Sequence, residues 1–169
     1  SGASAIDTVA TGCTVSVYAY GVMENTTLNG GLMAVNGIAE NTTLNNAATL
    51  EIADGGTASN TIVSNRCMID IAWGGIHKGT LTILQGGTVD AVTRSQIDFT
   101  VSAITPADGY LINDLSRISG APTYTITVSA DQAFGTYKLA QGAENLTGTL
   151  TVGDGTTNFG SVTVNGAAL

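Results

Sequence analysis

The sequence contains the hexapeptide Glu-Asn-Thr-Thr-Leu-Asn at residues 24–29 and again, sixteen residues later, at residues 40–45. Looser copies follow as Ser-Asn-Thr-Ile-Val-Ser at 59–64 and Gly-Thr-Leu-Thr-Ile-Leu at 79–84. Between these copies recurs a second short element, in which two apolar residues flank one polar or small residue. Its copies begin at Val15, Met33, Leu50, Ile69 and Val89. Self-similarity of this kind is typical of solenoids, in which stacked repeats share one core.

Each repeat is too short to bury an apolar face alone, so we predict two short strands and two turns per repeat. Every strand then pairs in parallel with its copy in the next coil, and inward side chains form columns. The predicted columns are Val15, Met33, Leu50, Ile69 and Val89; Val17, Val35, Ile52 and Ile71; and Leu28, Leu44, Val63 and Ile83 or Leu84. The outward positions are Ser16, Ala34, Glu51, Asp70 and Asp90.

These columns predict an all-β fold, a parallel β-helix (β-solenoid) of about five coils over residues 1–95. The repeat stops at Gln96, and we predict a C-terminal β-rich cap or small β subdomain over residues 96–169. A cap is expected because the end of a solenoid exposes unpaired backbone groups. Within it we expect a short helix capped by Asp108. Four strands then form a meander of hairpins, at residues 124–128, 136–139, 149–152 and 161–164.

The two cysteines, Cys13 and Cys67, each precede an interior column residue by two positions. They belong to the same column but lie three coils apart, which separates their Cα atoms by roughly 14 Å. A disulfide needs less than about 7 Å between these atoms. We therefore predict two free thiols, both buried as small hydrophobic groups.

The charge composition excludes some partners. Five Lys and Arg stand against thirteen Asp and Glu, for a net charge of −8. Phosphate neutralisation requires clustered Lys and Arg, so we expect no nucleic-acid partner. No apolar run reaches the roughly 18 residues of a membrane helix, so we expect no membrane insertion by this segment.

The single histidine, His77, lies in a glycine-rich stretch that we interpret as an exposed turn. Nucleophilic catalysis that depends on a histidine is therefore poorly supported.

Three groups of residues are candidates for binding or for structural ladders. Glu51, Asp70 and Asp90 fall on adjacent coils and form a candidate Ca²⁺ site, for which the alternative is a solvated acidic stripe; no other cofactor is expected. Aromatic residues that follow the strands near one edge are candidate ligand-binding residues, because they could stack on sugar rings; they are Tyr18, Tyr20 and Trp73. A hydrogen-bonded amide ladder is predicted for Asn25, Asn41 and Asn60.

The degenerate repeats resemble those of AIDA-type autotransporter passengers, which are surface adhesins of Gram-negative bacteria. The resemblance covers about residues 12–93 and is carried by the Asn-Thr-Thr phrases and by Gly-Gly-Thr at 55–57 and 86–88. It implies a secreted parallel β-helix displayed at the bacterial cell surface and often sugar-modified on Ser or Thr.

The function expected from these observations is that of a non-enzymatic, surface-exposed or secreted repeat module. Its rigid β-solenoid face would bind a host glycan or protein, as part of a larger surface protein. One alternative is a polysaccharide lyase or hydrolase, which would need carboxylates together with Arg66, Lys78 or Arg94 in one concave pocket. The other alternative is a purely structural spacer.

Overall fold

A computed structural model describes residues 2–144 and 146–165. Strands make up 53% of it, no α-helix occurs among these residues, and the chain forms a β-solenoid of about five turns. The predicted parallel β-helix is therefore confirmed. The strands are β1 (Ser4–Ile6), β2 (Val9–Val17), β3 (Val22–Glu24), β4 (Thr27–Val35), β5 (Ile38–Glu40), β6 (Thr43–Asn45), β7 (Thr49–Ile52), β8 (Thr57–Val63), β9 (Met68–Ile71), β10 (Ile76–Ile83), β11 (Thr88–Ala91), β12 (Gln96–Thr100), β13 (Ile118–Gly120), β14 (Thr123–Thr127), β15 (Thr147–Gly153) and β16 (Asn158–Asn165).

The coils have three faces and not the two that the sequence predicted. Face 1 contains β1, β3, β5, the first halves of β8 and β10, and then β12 and β14. Face 2 contains the first parts of β2 and β4, then β6 and the second halves of β8 and β10. Face 3 contains the second parts of β2 and β4, then β7, β9, β11 and β13.

Face 1 escaped prediction because each of its first inward-facing strands after β1 contributes only one inward side chain. These residues are Met23, Ala39, Ala58 and His77, which differ in size and polarity although all are buried; only β12 adds two, Ile97 and Phe99. A three-residue strand with a single inward position shows no period-two alternation of apolar residues. The segment therefore has the composition of a loop.

The three predicted interior columns are present in the predicted register. On face 3, Val15 pairs with Met33, and the ladder continues through Leu50 and Ile69 to Val89. The second predicted column, which begins at Val17, is paired in the same way on face 3. On face 2, the column contains Leu28, Leu44, Val63 and Ile83. Ile83 and not Leu84 completes that column, since Leu84 is 45% exposed. The outward positions also align, with Glu51 beside Asp70 and Asp70 beside Asp90.

The ladders pass through residue 95 without a break. β12 and β14 extend face 1 in parallel, β13 extends face 3, and isolated bridges from Leu81 to Ile112 and from Ile112 to Ala140 extend face 2. The segments that connect the strands become longer after β12, and these insertions hide the repeat in the sequence. The division into domains at residue 95 stays a prediction, and of the predicted cap, residues 145 and 166–169 lie outside the described residues.

The hairpin meander predicted for the second half is wrong except at its end. β14 pairs in parallel with both β12 and β15, and residues 136–139 form no strand. Only β15 and β16 form an antiparallel pair within the described residues. Residues 124–128 and 149–152 lie in neighbouring coils on face 1, and alternation alone does not distinguish a solenoid strand from a hairpin strand.

The short helix expected after Asp108 is also absent. Asp108 accepts hydrogen bonds from the backbone N–H of Thr105 (2.6 Å) and from its hydroxyl (3.0 Å), which closes a turn. The chain beyond must run alongside β10 for Ile112 to pair with Leu81. The 3₁₀ turn found in this region, Leu115–Arg117, is capped by Asp114. No described residues form a helix long and apolar enough to cross a membrane.

The cysteines are free, as predicted, but only Cys67 is buried. Cys13 is exposed because β2 belongs to the first coil, and within the described residues it pairs on one side only, with β4. The expectation that both thiols are buried is therefore wrong for Cys13.

Candidate ligand-binding corner

One edge of the solenoid is formed by the turns that lead from face 3 to face 1, and we call it the aromatic corner. It comprises residues 18–21, 36–37, 53–56, 72–75 and 92–95. Four of these turns have four residues each. Within such a turn, the N–H of the fourth residue donates to the carbonyl of the first residue, as from Gly56 to Ala53 (2.9 Å). The third residue has a positive φ, 76° at Gly55 and 75° at Gly74, which glycine adopts without steric cost.

Tyr20 occupies this third position in the first coil, with a φ of 67°. A non-glycine residue in the left-handed region costs about 1–2 kcal/mol, because its Cβ crowds the following carbonyl. The side chain is 88% exposed, so packing does not offset that cost. A strained and exposed aromatic residue is a candidate for ligand binding, since backbone strain concentrates at functional positions.

The structure places all three candidate aromatic residues on the aromatic corner. Tyr18 is 76% exposed and Trp73 is 53% exposed. Tyr20 and Trp73 belong to the first and fourth coils, so roughly 14 Å of ladder separates them. The structure therefore brings Tyr18 and Tyr20 together in one turn but does not bring Trp73 into the same pocket.

The second coil forms a recess in the aromatic corner, which we call the notch. Its turn has only two residues, Asn36 and Gly37, whose N–H groups both donate to the carbonyl of Val17 (2.8 and 3.0 Å). The longer turns of the first and third coils project on either side. The resulting cavity of about 420 Å³ is lined by Ala19, Tyr20, Asn36, Gly37, Ile38, Asp54 and Gly55.

The candidate calcium residues Glu51, Asp70 and Asp90 lie in one line on the outside of face 3. Beyond them, the Ser119 hydroxyl donates to Asp90 Oδ1 (3.1 Å). In the part of the chain that the structure describes, no group of three or more His, Cys, Asp or Glu side chains is arranged to hold a metal ion. A single ladder presents its carboxylates from one side, whereas Ca²⁺ takes six to eight surrounding oxygens.

His77 is not in an exposed turn, and that prediction is wrong. The imidazole is fully buried on the inner side of face 1, where its ladder neighbours are Ala58 and Ile97. Nε2 lies 3.2 Å from the Thr61 hydroxyl, and Nδ1 has no partner among the described residues. Burial lowers the pKa of His77 to about 4, so the ring is neutral at pH 7. A ring enclosed in the core cannot reach a substrate.

A second cavity, which sequence reasoning did not find, lies between the outer side of face 1 and the turn that joins β15 to β16. This cleft has a volume of about 330 Å³, and Lys78, Asp98 and Asp154 are among its lining residues. It unites carboxylates with a lysine, which is the arrangement expected of a polysaccharide-acting enzyme. Asp154 is far in sequence from the other two residues, so no local pattern could have indicated the site.

Both carboxylates in the cleft are held as hydrogen-bond acceptors. Asp98 is 5% exposed and accepts from three hydroxyl groups, those of Thr100 (2.7 Å), Thr125 (2.6 Å) and Thr127 (2.9 Å). Asp154 accepts from the backbone of Thr157 and from Thr156, and these bonds lower its pKa. A glycosidase acid must instead be protonated at the start of the reaction. These two carboxylates therefore suit binding better than proton donation.

No protein-family model matches the chain, and no curated protein matches it.

Proposed function

We propose that this chain is a non-enzymatic, surface-displayed module that binds a glycan through the aromatic corner. The observation that carries the proposal is the exposure of three large aromatic side chains, Tyr18, Tyr20 and Trp73, on one edge of the solenoid. The C–H face of a sugar ring packs on an aromatic face through dispersion and apolar burial. The repeat phrases that resemble autotransporter passengers support an extracellular, bacterial cell-surface location within a larger protein.

The scaffold suits such a role because it holds the turns of the corner in place. The carbonyls and N–H groups of consecutive turns are linked, with Gly55 donating to Gly74 (3.3 Å) and Gly74 donating to Arg94 (3.2 Å). A binding surface that is ordered before the ligand arrives loses less conformational entropy on binding.

The test is binding of the labelled chain to an array of immobilised glycans. We expect binding to selected glycans, and at least a tenfold loss in the triple variant Tyr18→Ala/Tyr20→Ala/Trp73→Ala. Phe134→Ala is the matched control, since Phe134 is fully exposed but lies outside the aromatic corner. Full binding by the triple variant would contradict the proposal, and loss of binding in the control would indicate unspecific apolar adsorption.

The cleft is the basis of a second candidate function, that of a polysaccharide lyase or hydrolase, because it brings two carboxylates and Lys78 into one cavity. This alternative predicts new reducing ends or unsaturated products when the chain is incubated with a panel of polysaccharides. It also predicts that Asp98→Asn or Lys78→Met abolishes this turnover. Lack of products across neutral and acidic polysaccharides would exclude the alternative.

A further inference from the structure

We infer that the notch holds a single neutral pyranose ring, which stacks on Tyr20 and is hydrogen-bonded by the Asn36 side chain. This inference rests on the proposed function and adds to it a location and a ligand class. No sequence motif indicates the notch, because it arises from a difference in length between neighbouring turns.

The dimensions of the notch fit one ring. Consecutive coils are about 4.8 Å apart, so the turns of the first and third coils stand about 9.6 Å apart across the shortened turn. A ring in van der Waals contact with both walls needs about 7–8 Å between them. The cavity of about 420 Å³ lies at the small end of small-molecule sites, which span roughly 300–1,000 Å³.

The floor of the notch includes Gly37, which packs closely against the turn of the first coil. A Cβ atom at this position would collide with the carbonyl oxygens of Gly21 and Tyr18, so the turn can carry no side chain there. Ile38, 39% exposed, adds apolar surface to the same floor. Gly37 thus contributes a part of the floor that has no side chain and is packed against the first coil.

The polar group of the notch suits hydroxyl ligands. Asn36 is exposed, and within the described residues only its backbone N–H is engaged, in the bond to Val17. Its side-chain amide can both donate and accept, as can each sugar hydroxyl. Two adjacent hydroxyls on one ring could therefore be bound by the one amide group.

The charge of the notch selects against acidic sugars. Asp54 is the one charged residue among those that line the cavity, and the whole chain has a net charge of −8. An anionic ring would meet repulsion without any cation to offset it. The ligand class is therefore a neutral hexose or N-acetylhexosamine and not a sialic acid or a uronic acid.

Two variants separate this role from a structural one. Tyr20→Gly removes the aromatic ring and places at this position the residue that the third and fourth coils use. Insertion of Asp-Gly between Asn36 and Gly37 gives the second coil a turn of normal length, which fills the notch while Tyr20 stays in place. Phe134→Ala is the matched control, because it removes a fully exposed aromatic side chain that lies outside the aromatic corner.

The experiment measures binding of these variants to immobilised neutral glycans and to their sialylated counterparts, together with the melting temperature. We expect Tyr20→Gly and the insertion each to weaken binding to neutral glycans at least tenfold, and Phe134→Ala to change it less than threefold. Tyr20→Gly should keep the Tm within about 2 °C of the wild type or raise it, since the strain at this position is relieved.

Several outcomes would overturn the inference. A fall in Tm of more than about 5 °C for Tyr20→Gly would indicate a structural role for Tyr20. Preference for sialylated glycans would exclude a neutral ligand. Binding that is kept in Tyr20→Gly and in the insertion variant but lost in the triple variant Tyr18→Ala/Tyr20→Ala/Trp73→Ala would locate the glycan elsewhere on the corner, in which case the proposed function stands and the notch does not. Lack of binding to any glycan by the wild type would overturn both.

Discussion

At the scale of single residues, the buried pair of Thr61 and His77 is the feature with the clearest consequence in solution. The imidazole is surrounded by core side chains, and its only hydrogen-bonding neighbour among the described residues is the Thr61 hydroxyl. Desolvation disfavours the imidazolium, which lowers the pKa of His77 to about 4. No carboxylate hydrogen-bonds to the ring in the described chain, so nothing there stabilises the charged form.

This pKa predicts an acid-sensitive fold. The unfolded chain binds a proton at His77 near pH 6.5, whereas the folded chain binds it only near pH 4. The contribution of His77 to the free energy of unfolding is therefore complete above about pH 6.5. It is lost as the pH falls toward 4, and the total loss is ~3 kcal/mol. We expect the free energy of unfolding, measured in urea at pH 7 and pH 4.5, to fall with acidification.

The matched variant for this prediction is His77→Leu, which has a similar volume and no titratable group. Carboxylates also titrate in this pH range and affect both proteins alike. The difference between wild type and variant in the loss of unfolding free energy therefore isolates His77. We expect the variant to lose clearly less stability than the wild type between the two pH values. Equal losses would show that His77 is not neutral and buried in solution.

At the scale of elements, an amide ladder connects the coils along the edge between faces 1 and 2. The predicted ladder is confirmed: Asn41 Nδ2 donates to Asn25 Oδ1 (3.1 Å), and Asn60 Nδ2 donates to Asn41 Oδ1 (3.2 Å). At one end, Asn25 donates to the carboxylate of Asp7 (2.9 Å). A carboxylate can only accept hydrogen bonds, so the Asn25 amide must donate to Asp7. Each later Asn side chain then donates to the Asn of the preceding coil. A second ladder, not predicted, runs from Ser64 through Asn45 to Asn29.

The ladder residues also carry a backbone requirement. Asn25, Asn41 and Asn60 have φ values of 53°, 54° and 53°, in the left-handed region that asparagine tolerates better than most residues. Each position therefore combines two contributions to stability, the amide hydrogen bonds and the backbone conformation.

Two substitutions at Asn41 separate these contributions. Asn41→Gly keeps the left-handed backbone but removes the amide, so we expect a loss of about 1 kcal/mol in the free energy of unfolding. Asn41→Ala also places a Cβ in the unfavourable conformation and should lose about 1 kcal/mol more. Urea unfolding of both variants measures the difference. A glycine variant less stable than the alanine variant would contradict the assigned conformation.

At the scale of the whole molecule, the two ends of the stack differ. The antiparallel pair β15–β16 follows the last parallel pairing, of β14 with β15, and changes the strand direction there. At the other end, β2 pairs with β4 on one side only within the described residues and leaves Cys13 exposed. Cys67 lies in the middle of the stack and is 1% exposed.

This difference predicts two classes of thiol. In the native state we expect one thiol per molecule, Cys13, to react rapidly with a disulfide reagent. Cys67 should react only when the coils open, so its labelling should follow the urea unfolding transition. The variant Cys13→Ser is the control and should leave no fast-reacting thiol. Rapid reaction of both thiols, or an internal disulfide after mild oxidation, would contradict the register.

Much of the fold could be predicted because each column requires one apolar residue per coil. Leu50 and Ile69 lie in neighbouring coils because a slip of one residue would place Glu51 or Asp70 in the core instead. Of the candidate site, the exposed aromatic residues were predictable as residues that follow strands. Face 1 was not predictable, since Met23, Ala39, Ala58 and His77 share burial but no chemical character.

The sequence by itself determined the register of faces 2 and 3 and the Asn ladder, since these depend on side chains that recur at a nearly constant spacing. Tertiary structure alone decided the burial of His77, the cleft around Asp98 and the notch beside Tyr20. The cleft requires the distant turn at Asp154 to lie over face 1. The notch exists because the shortened turn of the second coil is the one that leads from face 3 to face 1. The physical reason is that the spacing of the repeat gives the number of residues in each coil. It does not indicate which turn of a coil is shortened when that number falls.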